Sequence, residues 1–157
     1  MRKVIFFLII IMFSLPSTIW AADPIIGTWK LNLAESKFPA TEVMPKERTE
    51  VYRELDVDLI EFEATGTEAN GSPISFKATW PQQGGTVDIL QGGNEETSYI
   101  ETLIELGDWY VTVLQNGKQV GVIHKTFSKD GKRMRQTYTS IDAQGNPFER
   151  LSLYDRQ

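Results

Sequence analysis

From Gly27 onward the apolar positions recur every second residue in short runs broken by turn residues, and almost no helical period is present. Four runs have one clean apolar face: Trp29/Leu31/Leu33, Ile60/Phe62/Ala64, Ile74/Phe76/Ala78/Trp80 and Ile100/Ile104/Leu106. Lys30/Asn32, Glu61/Glu63, Ser75/Lys77/Thr79 and Glu101/Glu105 fall on the opposite faces. The pattern predicts nine or ten strands, over 27–33, 48–54, 57–65, 73–80, 86–91, 97–106, 109–115, 118–127, 133–141 and 148–155. The one long irregular stretch is 34–47, where Pro39 and Pro45 forbid a continuous helix and leave room for a single turn over 34–38. Gly84-Gly85 and Gly92-Gly93 flank the short 86–91 run and mark it as mobile or bulged. Strands this short must be closed on themselves, because open edges template aggregation. The expected fold is therefore all-β, a single antiparallel up-and-down β-barrel, apolar inside and polar outside. An outer-membrane barrel would invert that pattern.

Turn residues predict the register. Gly107-Asp108, with Gly first, reads as a II′ hairpin pairing Leu106 with Trp109 and Ile104 with Val111. Asn116-Gly117 reads as I′ and pairs Val111 with Val122 and Trp109 with His124. A three-residue Lys129-Asp130-Gly131 loop then pairs His124 with Gln136 and Val122 with Tyr138. Together these place Ile104, Leu106, Trp109, Val111, Val120, Val122, His124, Met134, Gln136 and Tyr138 on one inward face. Glu68-Ala69-Asn70-Gly71-Ser72-Pro73-Ile74 resembles Asp142-Ala143-Gln144-Gly145-Asn146-Pro147-Phe148, 74 residues later. The two copies read either as one hairpin chemistry used twice or as a duplicated half-barrel. If the second turn keeps the parity of the first, Tyr138 pairs with Phe148 and Gln136 with Arg150, and Arg150, Ser152 and Tyr154 face inward. The opposite parity turns Leu151 and Leu153 inward instead.

The N-terminus follows a different rule. Arg2-Lys3, the unbroken apolar run 4–13, the break at Pro16-Ser17 and the small residues around Ala21-Ala22 have the layout of a signal peptide. The run is too short to span a bilayer comfortably. The expected organisation is a Sec signal peptide over 1–21, cleaved near Ala21 or Ala22, then one barrel domain over 22–157. An uncleaved N-terminal anchor is the alternative. Cleavage removes Arg2 and Lys3 and no acid, so the formal charge moves from −5 to −7. A secreted chain with no cysteine fits a bacterial periplasmic or secreted protein with no stable membrane span after cleavage. The acidic balance argues against nucleic acid. With no cysteine and one histidine, no metal site and no cofactor is expected.

Gly27-Thr28-Trp29-Lys30-Leu31-Asn32 opens the first strand of this meander. That Gly-x-Trp resembles the lipocalin/calycin signature, in which the Trp packs across the closed end of the barrel, often under an Arg from the last strand. Gly27–Leu33 followed by Ser36-Lys37-Phe38, the Ser128–Lys132 turn and the closing Tyr154-Asp155-Arg156-Gln157 are similar to a family of small exported bacterial lipocalin-like proteins. The resemblance implies a fold, with Gly27 and Trp29 as the structural plug, and no particular substrate. The chain departs from typical lipocalins in lacking their cysteines and the central Thr-Asp-Tyr type motif. It also lacks the late Arg-x-Tyr pair of fatty-acid-binding proteins, although Arg150 and Tyr154 share one face of the last strand.

The inward row nominates Trp109, His124, Gln136, Tyr138, Arg150 and Tyr154 as ligand-binding residues and no catalytic residue. An interior guanidinium needs a partner. An internal carboxylate, ordered water or a ligand carboxylate would each supply one, and Arg150 covering Trp29 is a further reading. Three functions stay open. The barrel holds a small hydrophobic or amphipathic ligand; or it is packed solid and works through its loops on a protein partner; or His124, with Tyr138 or an inward carboxylate, serves isomerase-type acid–base chemistry. A cavity above a few hundred Å³ separates the first from the second.

Overall fold

The computed structural model describes residues 23–157 except Thr41, Val57 and Ala143. The signal-peptide reading of 1–21, and Ala22 with it, lies outside the described residues. Eleven strands form one antiparallel sheet: β1 (Gly27–Leu31), β2 (Glu47–Asp56), β3 (Leu59–Thr67), β4 (Pro73–Pro81), β5 (Gly84–Thr86), β6 (Asp88–Gln91), β7 (Thr97–Glu105), β8 (Asp108–Gln115), β9 (Lys118–Phe127), β10 (Arg133–Ile141) and β11 (Pro147–Arg156). Sequential strands pair, and β11 returns to pair with β1. The expected 86–91 strand is two pieces that meet at Val87. β5 pairs with β7, β6 pairs with β4, and the Val87 N–H donates to Tyr99 O at 3.0 Å. One stretch of chain thus spans the seam between β4 and β7 and nearly closes the barrel. Closure removes most of the exposed edge that short strands cannot afford.

The repeated turn is one hydrogen-bond pattern used twice. Glu68 and Asp142 N–H donate to Ser72 and Asn146 O, both at 2.8 Å, and Gly71 and Gly145 N–H donate back to Glu68 and Asp142 O at 2.9 and 3.0 Å. The second copy pairs Tyr138 with Arg150 and Gln136 with Ser152, two residues along from the expected pairing. A slide of two keeps every side chain on its face. Met134, Gln136, Tyr138, Arg150, Ser152 and Tyr154 therefore share the inward face.

The region β7–β9 departs from expectation, and each departure has a local cause. The β7–β8 turn is Leu106-Gly107, with Glu105 opposite Asp108, and Gly107 carries φ +83° at the second turn position. A II′ turn needs its positive φ at the first. A bulge between Leu103 and Glu105 shifts β7 further. Ile104 and Leu106 end 60% and 62% exposed, and Glu101 points inward in their place. Asn116-Gly117 does form the two-residue turn with positive φ at both residues, but Leu114 then faces Gln119 while Val113 faces Gly121. Val120 is the extra residue, and its carbonyl accepts from Ser140 Oγ at 2.6 Å. The bulge seats Gly121 beneath the Tyr138 ring, where a Cβ would lie 2.5 Å from Cε2. The β9–β10 loop has four residues between Ser128 and Arg133 rather than three. These two one-residue errors flank β9 and cancel beyond it. β9, like β7 before its bulge, is reversed: Gly121, Ile123 and Lys125 face in, while Val120, Val122 and His124 do not.

The closed end is built on Trp29, which is fully buried with Ile25, Trp109 and Met134. Trp29 Nε1 donates to Ile25 O at 2.8 Å, and Trp109 Nε1 to Asp23 Oδ2 at 3.2 Å. The covering arginine is Arg156, not Arg150. Its guanidinium lies 4.4 Å from the centre of the Trp29 ring and donates to Gly131, Ile26 and Pro24 carbonyls at 2.7, 3.1 and 2.7 Å. Gly27 makes room for it, since a Cβ there would stand 2.9 Å from Arg156 Nη1.

Candidate functional site

Above that floor the barrel is hollow. A cavity of about 450 Å³ is lined by side chains of β2, β3, β4, β7, β8, β9, β10 and β11, and shares Arg48, Gln136 and Arg150 with a smaller one of about 170 Å³ under Phe38, Val43 and Pro45. Its size lies within the usual range for small-molecule sites. Its wall mixes aromatic rings with fixed polar groups. Tyr52, Phe62, Phe76, Trp80 and Tyr99 form a chain of rings with neighbouring centres 4.8–6.2 Å apart.

β2 supplies the polar core. Arg48, Glu50 and Tyr52 alternate along one face of the strand, so all three point inward. Glu50 is 1% exposed and accepts four hydrogen bonds: Arg48 Nε and Tyr154 OH on Oε1 at 2.8 and 2.7 Å, Tyr52 OH and Gln136 Nε2 on Oε2 at 2.8 and 2.6 Å. Burial alone would raise this carboxyl. The Arg48 charge, the Tyr154 hydroxyl, the nearby Lys125 charge and the Tyr52 hydroxyl outweigh it and hold Glu50 below the usual carboxylate range. Burial and the Glu50 charge push the Tyr52 and Tyr154 hydroxyls well above theirs, so both stay protonated donors.

A second acid behaves differently. Glu101 is 5% exposed and accepts from Lys125 Nζ through Oε1 at 2.9 Å, while Oε2 has no hydrogen-bond partner. Burial raises its carboxyl above the ordinary range, although the Lys125 charge pulls the other way. Lys125 Nζ sits 5.3–6.0 Å from the ring centres of Tyr52, Trp80 and Phe62, an arrangement favourable to a cation. Trp80 Nε1, also buried, has no acceptor.

The nominated residues divide. Gln136 and Arg150 line the cavity, and Tyr154 lines the smaller one. Arg150 already has an internal carboxylate: Nη1 donates to Glu42 of the 32–46 loop at 3.1 Å, with the guanidinium 5.0 Å from the Tyr138 ring centre and 5.6 Å from that of Phe38. Tyr138 thus packs under Arg150 and lines neither cavity. Trp109 lies in the floor, not in the ligand wall. His124 is on the outer face, stacked on Tyr110 at 4.2 Å and bonded through Nε2 to Asp108 Oδ1 at 2.8 Å. An interior His124–Tyr138 pair therefore does not form. Among the described residues no group of three or more His, Asp or Glu is placed to hold a metal ion. Sequence reasoning missed Arg48, Glu50, Glu101 and Lys125. The available signal was in β2, where Arg-x-Glu-x-Tyr offers no apolar face at all.

No protein-family model matches the chain, and no curated protein sequence is significantly similar to it. Solved structures are similar in shape. The fluorescent protein UnaG superposes with a TM-score of 0.60 at 12% identity, over 84% of this chain and 96% of that one. A point mutant of UnaG gives 0.59 at 11%, over 85% and 96%. At such identities the likeness is one of fold, an antiparallel β-barrel.

Proposed function

We propose that the protein binds a small, largely apolar molecule inside its barrel. The observation that carries this reading is the cavity of about 450 Å³, ringed by aromatic side chains and furnished with a few fixed polar groups. A barrel packed solid would have filled that space with the same large residues. The internal ion pairs refine the reading. Among the described residues Arg48 faces Glu50, Lys125 faces Glu101 and Arg150 faces Glu42, so these three cations already have carboxylate partners. The export reading belongs to the same proposal. Arg2-Lys3, the apolar run and the small residues near Ala21-Ala22 support release of the barrel into the periplasm or beyond. The intact mass of the protein in a periplasmic fraction tests that part, and a mass including residues 1–21 would contradict it.

Titration with the uncharged dye Nile red, alongside native mass spectrometry of gently purified protein, tests the binding. The expected result is a one-to-one complex with blue-shifted emission. Ala78→Phe, which projects a ring into the cavity, should abolish it while leaving the circular dichroism of the barrel in place. A wild-type protein that neither binds the dye nor carries a co-purifying mass would refute the reading.

A further inference from the structure

Resting on the interior-binding reading, we infer that the deep end of the cavity selects an uncharged ligand group presenting a hydrogen-bond donor beside an acceptor, of the amide, lactam or imide class, on a flat apolar body. The argument starts from the difference between the two buried acids. Glu50 is full: two donors stand on each of its oxygens. It has no lone pair to offer and serves the barrel. Glu101, almost as buried, leaves Oε2 empty, and Trp80 leaves Nε1 empty. Native proteins leave few buried polar atoms unpaired, and both of these belong to residues lining the same cavity. Lys125 links them: its Nζ is 2.9 Å from Glu101 Oε1 and 5.4 Å from the centre of the Trp80 ring, and Glu101 takes only one of its three N–H groups.

The chemistry of the unfilled groups defines what fits. An indole N–H only donates, and an ionised carboxylate only accepts. A ligand carboxylate satisfies Trp80 and Lys125 but faces Glu101 with a like charge. A ligand ammonium satisfies Glu101 but faces Lys125. The interior ions are already paired, so a further net charge enters uncompensated and at high cost. A carbonyl oxygen has two lone pairs, one each for Trp80 and Lys125, and an adjacent N–H serves Glu101. The rings of Phe62, Phe76 and Tyr99 leave walls for a flat apolar remainder.

The test is displacement of Nile red by a matched two-ring series: carbostyril, a lactam; N-methylcarbostyril, which keeps the carbonyl and loses the donor; β-naphthol; β-naphthoate; and naphthylmethylammonium. Carbostyril is expected to compete at least about tenfold better than every other member, since a site built to hydrogen-bond a ligand N–H rejects the analogue lacking it. The ratio between carbostyril and its N-methyl analogue is then measured in Trp80→Phe and in Glu101→Gln. It should fall toward one in Glu101→Gln, where the acceptor for the ligand N–H is lost, and hold in Trp80→Phe, where both ligands keep the carbonyl and both lose affinity severalfold. If Glu101→Gln fails to fold, Trp80→Phe still tests the carbonyl contact, and undiminished carbostyril affinity there overturns the inference. Nile red binding with no preference for carbostyril overturns the inference and leaves interior binding standing. Tighter binding of β-naphthoate overturns it in favour of an anion site, and equal binding of β-naphthol overturns the paired donor and acceptor. Failure of both the dye and carbostyril to bind overturns the inference together with the reading on which it rests.

Discussion

Replacing Glu50 by Gln tests whether the barrel interior is organised by one carboxylate. The change keeps shape and volume and turns one oxygen into an NH₂ group. Two of the four donors that converge on Glu50 then face a donor. Each buried donor left unsatisfied costs about 1–3 kcal/mol. The Arg48 charge also loses its counter-ion, and breaking a buried ion pair from one side costs about 3–5 kcal/mol. The two costs overlap, because Arg48 is one of the four donors. Its side chain is also 33% exposed, so water recovers part of its share. A loss of about 3–4 kcal/mol results, against a total stability of about 5–15 kcal/mol for a domain of this kind. In temperature that is a fall of about 10–15 °C in Tm.

The assay is urea unfolding at pH 7, followed by the fluorescence of the buried Trp29, Trp80 and Trp109, with Tm from circular dichroism. The midpoint should drop at unchanged slope, the sign of altered stability rather than altered compactness. Tyr154→Phe, which removes one donor and leaves the carboxylate three, should lose about 1–2 kcal/mol. Arg48→Met placed on Glu50→Gln should recover part of the loss, because the uncompensated cation is gone. A Glu50→Gln protein within about 1 kcal/mol of wild type would refute the reasoning, since no buried carboxylate with four donors can be neutralised so cheaply.

The other expectations rest on separate features. Arg156→Met keeps the stem over Trp29 and deletes its three carbonyl contacts, so urea unfolding should show a loss of about 1–2 kcal/mol, reduced by the exposure of the guanidinium. His124→Ala should leave Nile red affinity within about twofold and stability within about 1 kcal/mol, because the ring lies outside the barrel in a surface pair with Asp108; lost dye binding would contradict the register of β9. The two buried acids should bend the pH profile in opposite directions. Glu50, held low, contributes stability that is present above the ordinary glutamate value of 4.5 and is lost as pH falls through its folded value. Glu101, held high, contributes stability that is present below 4.5 and is lost as pH rises through its own. Urea midpoints measured from acid to neutral pH should therefore rise more steeply above 4.5 in Glu101→Gln than in wild type, and parallel profiles would remove Glu101 from the account.

Most strand positions were readable because period two and turn chemistry are local. So was the plug, because Gly27 and Trp29 sit in a compact pattern, although the arginine over Trp29 proved to be Arg156. What was not readable lies in the polar interior. Alternation assigns Glu101 to solvent and Ile104 to the core, since the apolar face is normally the buried one. The protein reverses this with a bulge that leaves Ile104 60% exposed and brings Glu101 inside to meet Lys125. A buried ion pair contradicts local pattern by construction. Its two members are 24 residues apart, and neither gives a sign of the other.

The bulge at Val120 decides between two neighbours, His124 and Lys125, for a place in the cavity, and it does so by register alone. Its effect can be isolated. Leu114 faces Gln119 and Val113 faces Gly121, so deleting Val120 joins two pairs that are already in place. The shortened strand keeps Gly121 under Tyr138 and Lys125 opposite Trp109. The loss is confined to the Ser140–Val120 contact at 2.6 Å, worth about 1 kcal/mol. Deleting Thr137 in β10, which pairs without irregularity on both sides, has no bulge to absorb it and turns the rest of the strand to the wrong face. The Val120 deletion should therefore fold and bind Nile red, and the Thr137 deletion should not fold. If deleting Val120 proves as damaging as deleting Thr137, the bulge is not an insertion in an otherwise regular ladder. The inward placement of Lys125 beside Glu101, and with it the polar end of the cavity, would then need another cause.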